Sequence, residues 1–481
     1  MTINAPIYEF LMNHSKKNAI SFHMPGHKGG AFFKKYGYEG FLENIIKYDV
    51  TEIHGADNLY HPNEIIDKIQ KKYARLYDAK RSFLLVNGTT GGILASILSC
   101  VGPNEKLIMA RNSHKSTFNA LVLGDINPIY IQPELVDDYH VSGQIHLREV
   151  EKAVKRHSDA KAVILPSPNY YGICSDIQEI SRIIHEHNMI LIVDEAHGAH
   201  LHFSDHFPDS ALAHEADIVI NSTHKTLASL TQSAVLHVNS NRVDMNALMD
   251  KLQMVQSTSP SYILMASLDI NADIMAKHGE ELICNWVKNL DEFYDKMKSA
   301  KHTKIMNGSK KIKGFDPTKI NIDMTDIGIT GKKLEEILRE KYNIYMELVT
   351  PNIVMGMTGI GTTKEHLDKL AEALLEIETH YSRNESIHIP HVEYEENQAV
   401  LKPSQAAQKE KAWENFEDSI GKVCAIAVTP YPPGVPMIYP GEVFTEKIIT
   451  EIIKIKKDIL ILGLKNEKKV AIVKGDHHGR T

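Results

Sequence analysis

Lys225 ends an apolar run, DIVINSTHK, and follows Ser222 and His224. A lysine in that setting must shed water to reach a carbonyl carbon, and desolvation lowers an amine's pKa, as a Schiff-base nucleophile requires. A lone lysine after a strand is more often a solvated loop residue; its company changes the reading. Asp194 closes a second apolar run, MILIVD, where a carboxylate can hold a proton on a ring nitrogen; the bland alternative is a helix cap. Gly88-Thr89-Thr90-Gly91-Gly92 separates a third run from a helical pattern, where free N–H groups and the helix dipole favour a phosphate. Gly and Thr are also ordinary turn residues. A nucleophilic lysine, a carboxylate for a ring nitrogen and a phosphate cradle are together the requirements of pyridoxal 5'-phosphate. His114, after another apolar run, either stacks on the ring or is a structural histidine.

Other polar clusters read differently. His197, His200, His202 and His206 do not form the helical zinc-protease motif, and no metal site is expected. Asp194-Glu195-Ala196-His197 is shared with helicases, but Asp326 to Lys333, DIGITGKK, lacks the first Gly and the final Ser or Thr of a P-loop, so an ATP-driven motor is excluded.

The elements that must position these residues follow a regular order. From about residue 65 to 240, runs rich in β-branched residues alternate with helical patterns: SFLLVNG, GGILASILSCV, KLIMARN, HKSTFNALVLG, PIYIQP, LREVEKAVKRH, KAVILPSP, DIQEISRIIHEH, MILIVDEAH, DIVINSTHK and SAVLHVN. Such a βαβ series implies an α/β fold with a mostly parallel sheet covered by helices. Ligands of these sheets bind beyond the carboxyl ends of the strands. The polar residues after each run, Asn87–Gly91, Asn112–His114, Ser167–Asn169, Asp194–His197 and Ser222–Lys225, should therefore converge. A helical stretch broken at Ser257-Thr258-Ser259-Pro260 follows, then a smaller strand-and-helix unit and a last piece holding Pro430-Tyr431-Pro432-Pro433-Gly434. The expected division is an N-terminal segment 1–60, a large cofactor-binding domain 61–300, a small α/β domain 301–385 and a C-terminal domain 386–481.

The 481 residues are 43% apolar and 24% charged with a net charge of −7. No apolar run reaches the roughly 18 residues of a membrane span, and the negative balance argues against broad nucleic-acid binding. The four cysteines are scattered without a C-x-x-C pair, which points to reduced thiols. The N-terminal MTINAPIYEFLMNHSKK carries no basic-then-apolar leader pattern, so a cytoplasmic protein is expected.

Six strings, Ser21-Phe22-His23-Met24-Pro25-Gly26-His27-Lys28, Gly88-Thr89-Thr90, Asp194-Glu195-Ala196-His197, Ser222-Thr223-His224-Lys225, Thr258-Ser259-Pro260-Ser261-Tyr262 and Pro430-Tyr431-Pro432-Pro433-Gly434, resemble the bacterial ornithine/lysine/arginine decarboxylase family in type and order. The resemblance implies an aspartate-aminotransferase-like fold, with Lys225 as the Schiff-base lysine, Asp194 as partner of the pyridine nitrogen and His114 as the ring-stacking residue. It implies phosphate contacts from Thr89, Thr90, Ser222 and His224, with Thr258 reaching the phosphate of a neighbouring subunit in a homodimer or larger homo-oligomer. Gly91 and Ala196 complete the expected cofactor-binding set. Two departures stand out: the chain starts almost directly at the His-Met-Pro-Gly-His string, without the wing domain of the large acid-induced members, and it has His197 where those members tend to have tryptophan.

The implied reaction is decarboxylation of a basic amino acid, arginine ahead of lysine and ornithine, in polyamine biosynthesis. His197 or the freed Lys225 is the candidate proton donor at Cα. A substrate ending in a cation needs a carboxylate to replace lost water, and the acidic candidates are Glu52, Asp57, Glu347 and Glu442. Another pyridoxal-phosphate activity on the same fold and a non-catalytic regulatory homologue are the alternatives.

Overall fold

The computed structural model describes residues 5–136, 139–308, 312–382, 385–387, 397–431, 434–457 and 459–477. Pro432 and Pro433 of the Pro-Tyr-Pro-Pro-Gly string and residues 388–396 at the start of the expected C-terminal domain lie outside the described residues.

The apolar runs build one seven-stranded sheet: β1 Arg81–Leu85, β2 Lys106–Ala110, β3 Asn127–Ile131, β4 Ala162–Pro166, β5 Ile190–Asp194, β6 Ile218–Asn221 and β7 Ala234–Val238. Their spatial order is β1-β7-β6-β5-β4-β2-β3. Strands β3, β2, β4, β5 and β6 pair in parallel, and β7 runs antiparallel to both β6 and β1. The continuous apolar character follows from burial on both faces. Val163 and Leu165 enter the core on one side and Ile164 the core on the other, as the two-residue period of a strand dictates. Helices Gly88–Cys100, Lys115–Gly124, Leu147–Arg156 and Ile177–Glu186 supply the crossovers.

One element of this region was not anticipated. Pro133–Val136 and Val141–Ile145 form an antiparallel hairpin. Its strands are short and largely half-buried, so they carry little of the apolar signal that marks the sheet.

Beyond Pro260 the helix Tyr262–Met297 runs for 36 residues, with the Ser261 hydroxyl accepting the Leu264 N–H at its start. Met265, Leu268 and Ala272 of this helix pack in a core of the large sheet. Ile274, Trp286 and Phe293 pack with Leu334 and Leu367 further along the chain. A second sheet is built from β8 Lys304–Ile305, β9 Lys319–Asp323, β10 Leu348–Val349 and β11 Ile353–Met357 in the order β8-β9-β11-β10. The N-terminal strand Ile20–Phe22 pairs in parallel with Ile344–Met346, so the first segment is tied to this smaller unit. The C-terminal strands Lys411–Asn415, Lys422–Cys424 and Lys469–His477 form an antiparallel sheet. Phe444, Ile449, Ile452 and Val470 share one apolar cluster in that part of the chain.

Candidate active site

The carboxyl ends of β1, β2, β4, β5 and β6 open on one pocket. Asn87, Thr89, Thr90, Asn112, His114, Asn169, Asp194, Ala196, His197, Ser222, His224 and Lys225 all line it, so the strand-end residues converge as the parallel sheet requires. The segment of Lys225 is anchored from outside the sheet: Gly26 donates its N–H to the His224 carbonyl at 2.8 Å. A Cβ on Gly26 would lie 2.5 Å from both the Leu227 carbonyl oxygen and the Thr226 carbonyl carbon. Only glycine allows the His-Met-Pro-Gly-His string to lie this close to the lysine's backbone.

Lys225 Nζ lies 2.9 Å from Nε2 of His197. Burial lowers the Lys225 ammonium pKa, with Asp194 and Glu347 opposing the shift. Burial also pushes His197 well below the ordinary imidazole value, helped by the charge of Lys225. The neutral ring carries one N–H, and its tautomer decides which of Nε2 and Lys225 Nζ donates in this contact. Asp194 is buried, and one carboxylate oxygen accepts the Ala196 N–H at 3.2 Å. Burial raises its pKa against the opposing charge of Lys225.

His114 caps the helix Lys115–Gly124, its Nδ1 accepting the Ser116 N–H at 3.3 Å. Burial first, then the charge of Lys225, brings its imidazole down to about 4, so it offers a neutral ring face. At the other end the Ser222 hydroxyl donates to Thr89 Oγ1 at 3.3 Å, and the helix Gly88–Cys100 begins there with Thr89 and Thr90 in the pocket wall. His224 contacts the Ser233 carbonyl through Nδ1 at 2.8 Å and is lowered to about 4, chiefly by burial. Hydroxyl donors at a helix start, a carboxylate for a ring nitrogen, a flat imidazole and a desolvated lysine fit pyridoxal phosphate in charge and donor type. Gly91, expected in the cofactor-binding set, is buried in that helix and does not line the pocket.

The acidic candidates separate. Glu347 is buried; its carboxylate accepts the Met24 N–H at 2.9 Å and the Tyr170 hydroxyl at 3.0 Å, and both partners line the pocket. Asp57 is spent elsewhere: its carboxylate accepts the N–H groups of Asn58, Asn63, Glu64 and Ile66, ordering the turn into the helix Ile65–Leu76. Glu442 is also spent, pairing with Arg111 at 3.2 Å with both side chains buried, and accepting from Asn397 and the Tyr439 N–H. Glu52 is exposed and bonds Asn58. Thr258 is exposed and does not line the pocket of its own chain.

Tyr170, Gln232, Tyr431 and Val435 line the pocket without having been singled out for a role. Tyr170 packs its ring 4.6 Å from that of His197; its place directly after Ser167-Pro168-Asn169 was the available signal. Gln232 accepts the Gly88 N–H through its carbonyl at 2.7 Å, a contact between distant segments that leaves no local pattern. Two of the histidines weighed as metal ligands have other partners: His200 bonds Asp316 at 3.2 Å, and His202 stacks on Tyr77.

Comparison with known proteins bears on the chain as a whole. The chain matches the family described as Orn/Lys/Arg decarboxylase, major domain, over residues 5–322, and the C-terminal domain of that family over residues 388–459. It is 35% identical to an arginine decarboxylase of Halalkalibacterium halodurans, over 92% of this chain and 91% of the relative. Its identity to an arginine decarboxylase of Bacillus subtilis is 33%, over 93% of both chains. Among solved structures, lysine decarboxylase A from Pseudomonas aeruginosa superposes with a TM-score of 0.77 at 20% identity, over 98% of this chain and 80% of that one. The residues around Lys225 and the two matched regions lead to one conclusion: the chain belongs to the Orn/Lys/Arg decarboxylase family.

Proposed function

We propose that the protein is an arginine decarboxylase acting as a homodimer, with Glu347 receiving the distal cation of the substrate. The coarser activity, decarboxylation of a basic amino acid with pyridoxal phosphate as cofactor, is that of its family. Arginine is favoured because relatives at 33% to 35% identity are named arginine decarboxylases, whereas a lysine decarboxylase of Escherichia coli stands at 23%. Glu347 supports that choice, since a planar guanidinium can be held by one carboxylate through two parallel bonds. The proposed product is an amine of the polyamine pathway.

When bound, pyridoxal phosphate supplies the sink for the electron pair left at Cα as CO2 departs. Lys225, deprotonated more readily because it is buried, is the nucleophile toward a carbonyl carbon. Asp194 places negative charge where a proton must stay on a ring nitrogen. His197 Nε2 and Lys225 Nζ share a hydrogen bond, so these two nitrogens form the proton relay that serves Cα. Among the described residues lining the pocket there is no arginine. A carboxylate kept through turnover gains from a guanidinium, whereas one that leaves as neutral CO2 is held back by it.

The homodimer rests on two observations. The N-terminal helix Pro6–Ser15 leaves Ile7 and Phe10 77% and 66% exposed, and Ile46 is 83% exposed, large apolar side chains that association would cover. Thr258 faces outward, where it can serve a neighbour's pocket. The substrate assignment is tested by separate incubation with arginine, lysine and ornithine, measuring CO2 and the amine formed. A much higher kcat/KM for lysine or ornithine overturns the arginine assignment.

A further inference from the structure

Against the main chain of His197 lies an ion pair that the chemistry above does not use. Lys319, the first residue of β9, has no exposed surface. Its Nζ donates to the His197 carbonyl at 3.0 Å, to Asp316 Oδ2 at 2.6 Å and to Thr318 Oγ1 at 2.9 Å, which satisfies all three ammonium protons. Asp316, equally buried, accepts the Thr318 N–H at 3.0 Å and lies 3.2 Å from His200 Nε2. Its own N–H donates to the Gly172 carbonyl at 2.8 Å. Gly172 has φ +91, and a Cβ there would lie 2.9 Å from the Asp316 carbonyl oxygen and 3.0 Å from Lys319 Cγ. Glycine is what lets the chain after Tyr170 close over the pair.

Burying two charges costs desolvation that their attraction often fails to repay, and apolar residues of similar volume serve stability as well or better. Stability alone therefore does not account for an ammonium in this place. Its position does: it holds the carbonyl of the residue whose ring contacts Lys225, and it reaches that carbonyl from the smaller sheet.

We propose that Lys319 is a positioning residue for the reaction, which together with Asp316 fixes the His197 main chain, aims its ring at Lys225 Nζ and sets the charge field at that nitrogen. The inference rests on Lys225 being the cofactor lysine. The charge of Lys319 adds to burial in lowering both Lys225 and His197, while Asp316 acts in the opposite direction on His197. Facing Lys225 from the remaining elements are Asp194 and Glu347, both raising it. His114 faces His197 and lowers it, and Cys174 faces both Asp316 and Glu195.

The test is a pH titration of the absorption band of the lysine-bound cofactor in the holoenzyme without substrate, for Lys319→Gln, Asp316→Asn and the double variant. Lys319→Gln is expected to raise the midpoint by about one pH unit and Asp316→Asn to lower it by a similar amount, since each leaves the opposite buried charge unpaired. Turnover should fall about tenfold in Lys319→Gln with KM little changed. Midpoints that stay within about 0.2 pH unit of the unsubstituted protein, or move in the same direction in both variants, reduce Lys319 to a structural role. Should a single variant fail to fold, the double variant, which leaves no buried charge unpaired, decides. It is expected to keep the midpoint and lose about tenfold in turnover, and full turnover overturns the proposal. Absence of the band in the unsubstituted protein would instead remove the cofactor reading itself.

Discussion

His197 Nε2 lies 2.9 Å from Lys225 Nζ, and the imidazole is neutral because burial and the lysine's charge both oppose its protonation. A neutral imidazole, with one N–H and one acceptor nitrogen, therefore faces the nucleophile. Replacing His197 with Phe keeps a ring beside Tyr170 and removes the acceptor. Cofactor binding should persist while turnover falls by roughly 10²-fold, the usual contribution of a positioned acid or base. Unchanged single-turnover rates would leave the proton relay to Lys225 alone.

Borohydride reduction should fix the cofactor covalently on Lys225, read by peptide mass analysis, and Lys225→Ala should abolish both the label and the absorption band. A label on Lys28 or Lys319 would sink the assignment.

Asp194→Asn should retain cofactor and lose at least about 10³-fold in turnover, because a neutral amide does not hold a proton on the ring nitrogen that draws off carbanion charge. Near-normal turnover would make Asp194 structural.

Glu347→Gln should lower kcat/KM for arginine by about 10²-fold, since a charged receptor is replaced by a neutral one. Glu442→Gln should act differently. It strands the buried Arg111 guanidinium, costing about 3 kcal/mol of stability while leaving the order of preference among basic amino acids unchanged. Thermal unfolding and substrate kinetics on the two variants separate these roles.

Hybrid dimers test the shared site. Mixing Lys225→Ala with Thr258→Ala subunits should restore partial activity if Thr258 serves the neighbouring pocket. No recovery after verified subunit exchange would favour a self-contained site.

Acid stability has a defined sign. Burial holds His237 down at about 3, beside Ser82, against about 6.5 in an unfolded chain. Between those values the unfolded state binds a proton that the folded state does not, so stability falls as pH falls. His237→Gln should reduce the slope of unfolding free energy by about 1.4 kcal/mol per pH unit between roughly pH 4 and 6. An unchanged slope would show that another group governs that window.

The sequence by itself determined the parallel sheet and the strand ends that carry chemistry. Runs such as AVILP and MILIV are apolar at every position because both faces are covered, and a strand ending in Asp194 or leading into Lys225 places that residue at the pocket by geometry alone. Tertiary structure decided which partners each carboxylate meets. Asp57 and Glu442 look no different from Glu347 along the chain, yet the first is consumed by backbone N–H groups and the second by Arg111. Only Glu347 among the four bonds two pocket residues, Met24 and Tyr170, which are distant from it in sequence. The same holds for Lys319, whose meaning comes from Asp316 and from the His197 carbonyl more than a hundred residues before it. Periodicity records which way a side chain points from its own element; it does not record which partner from another element meets it there.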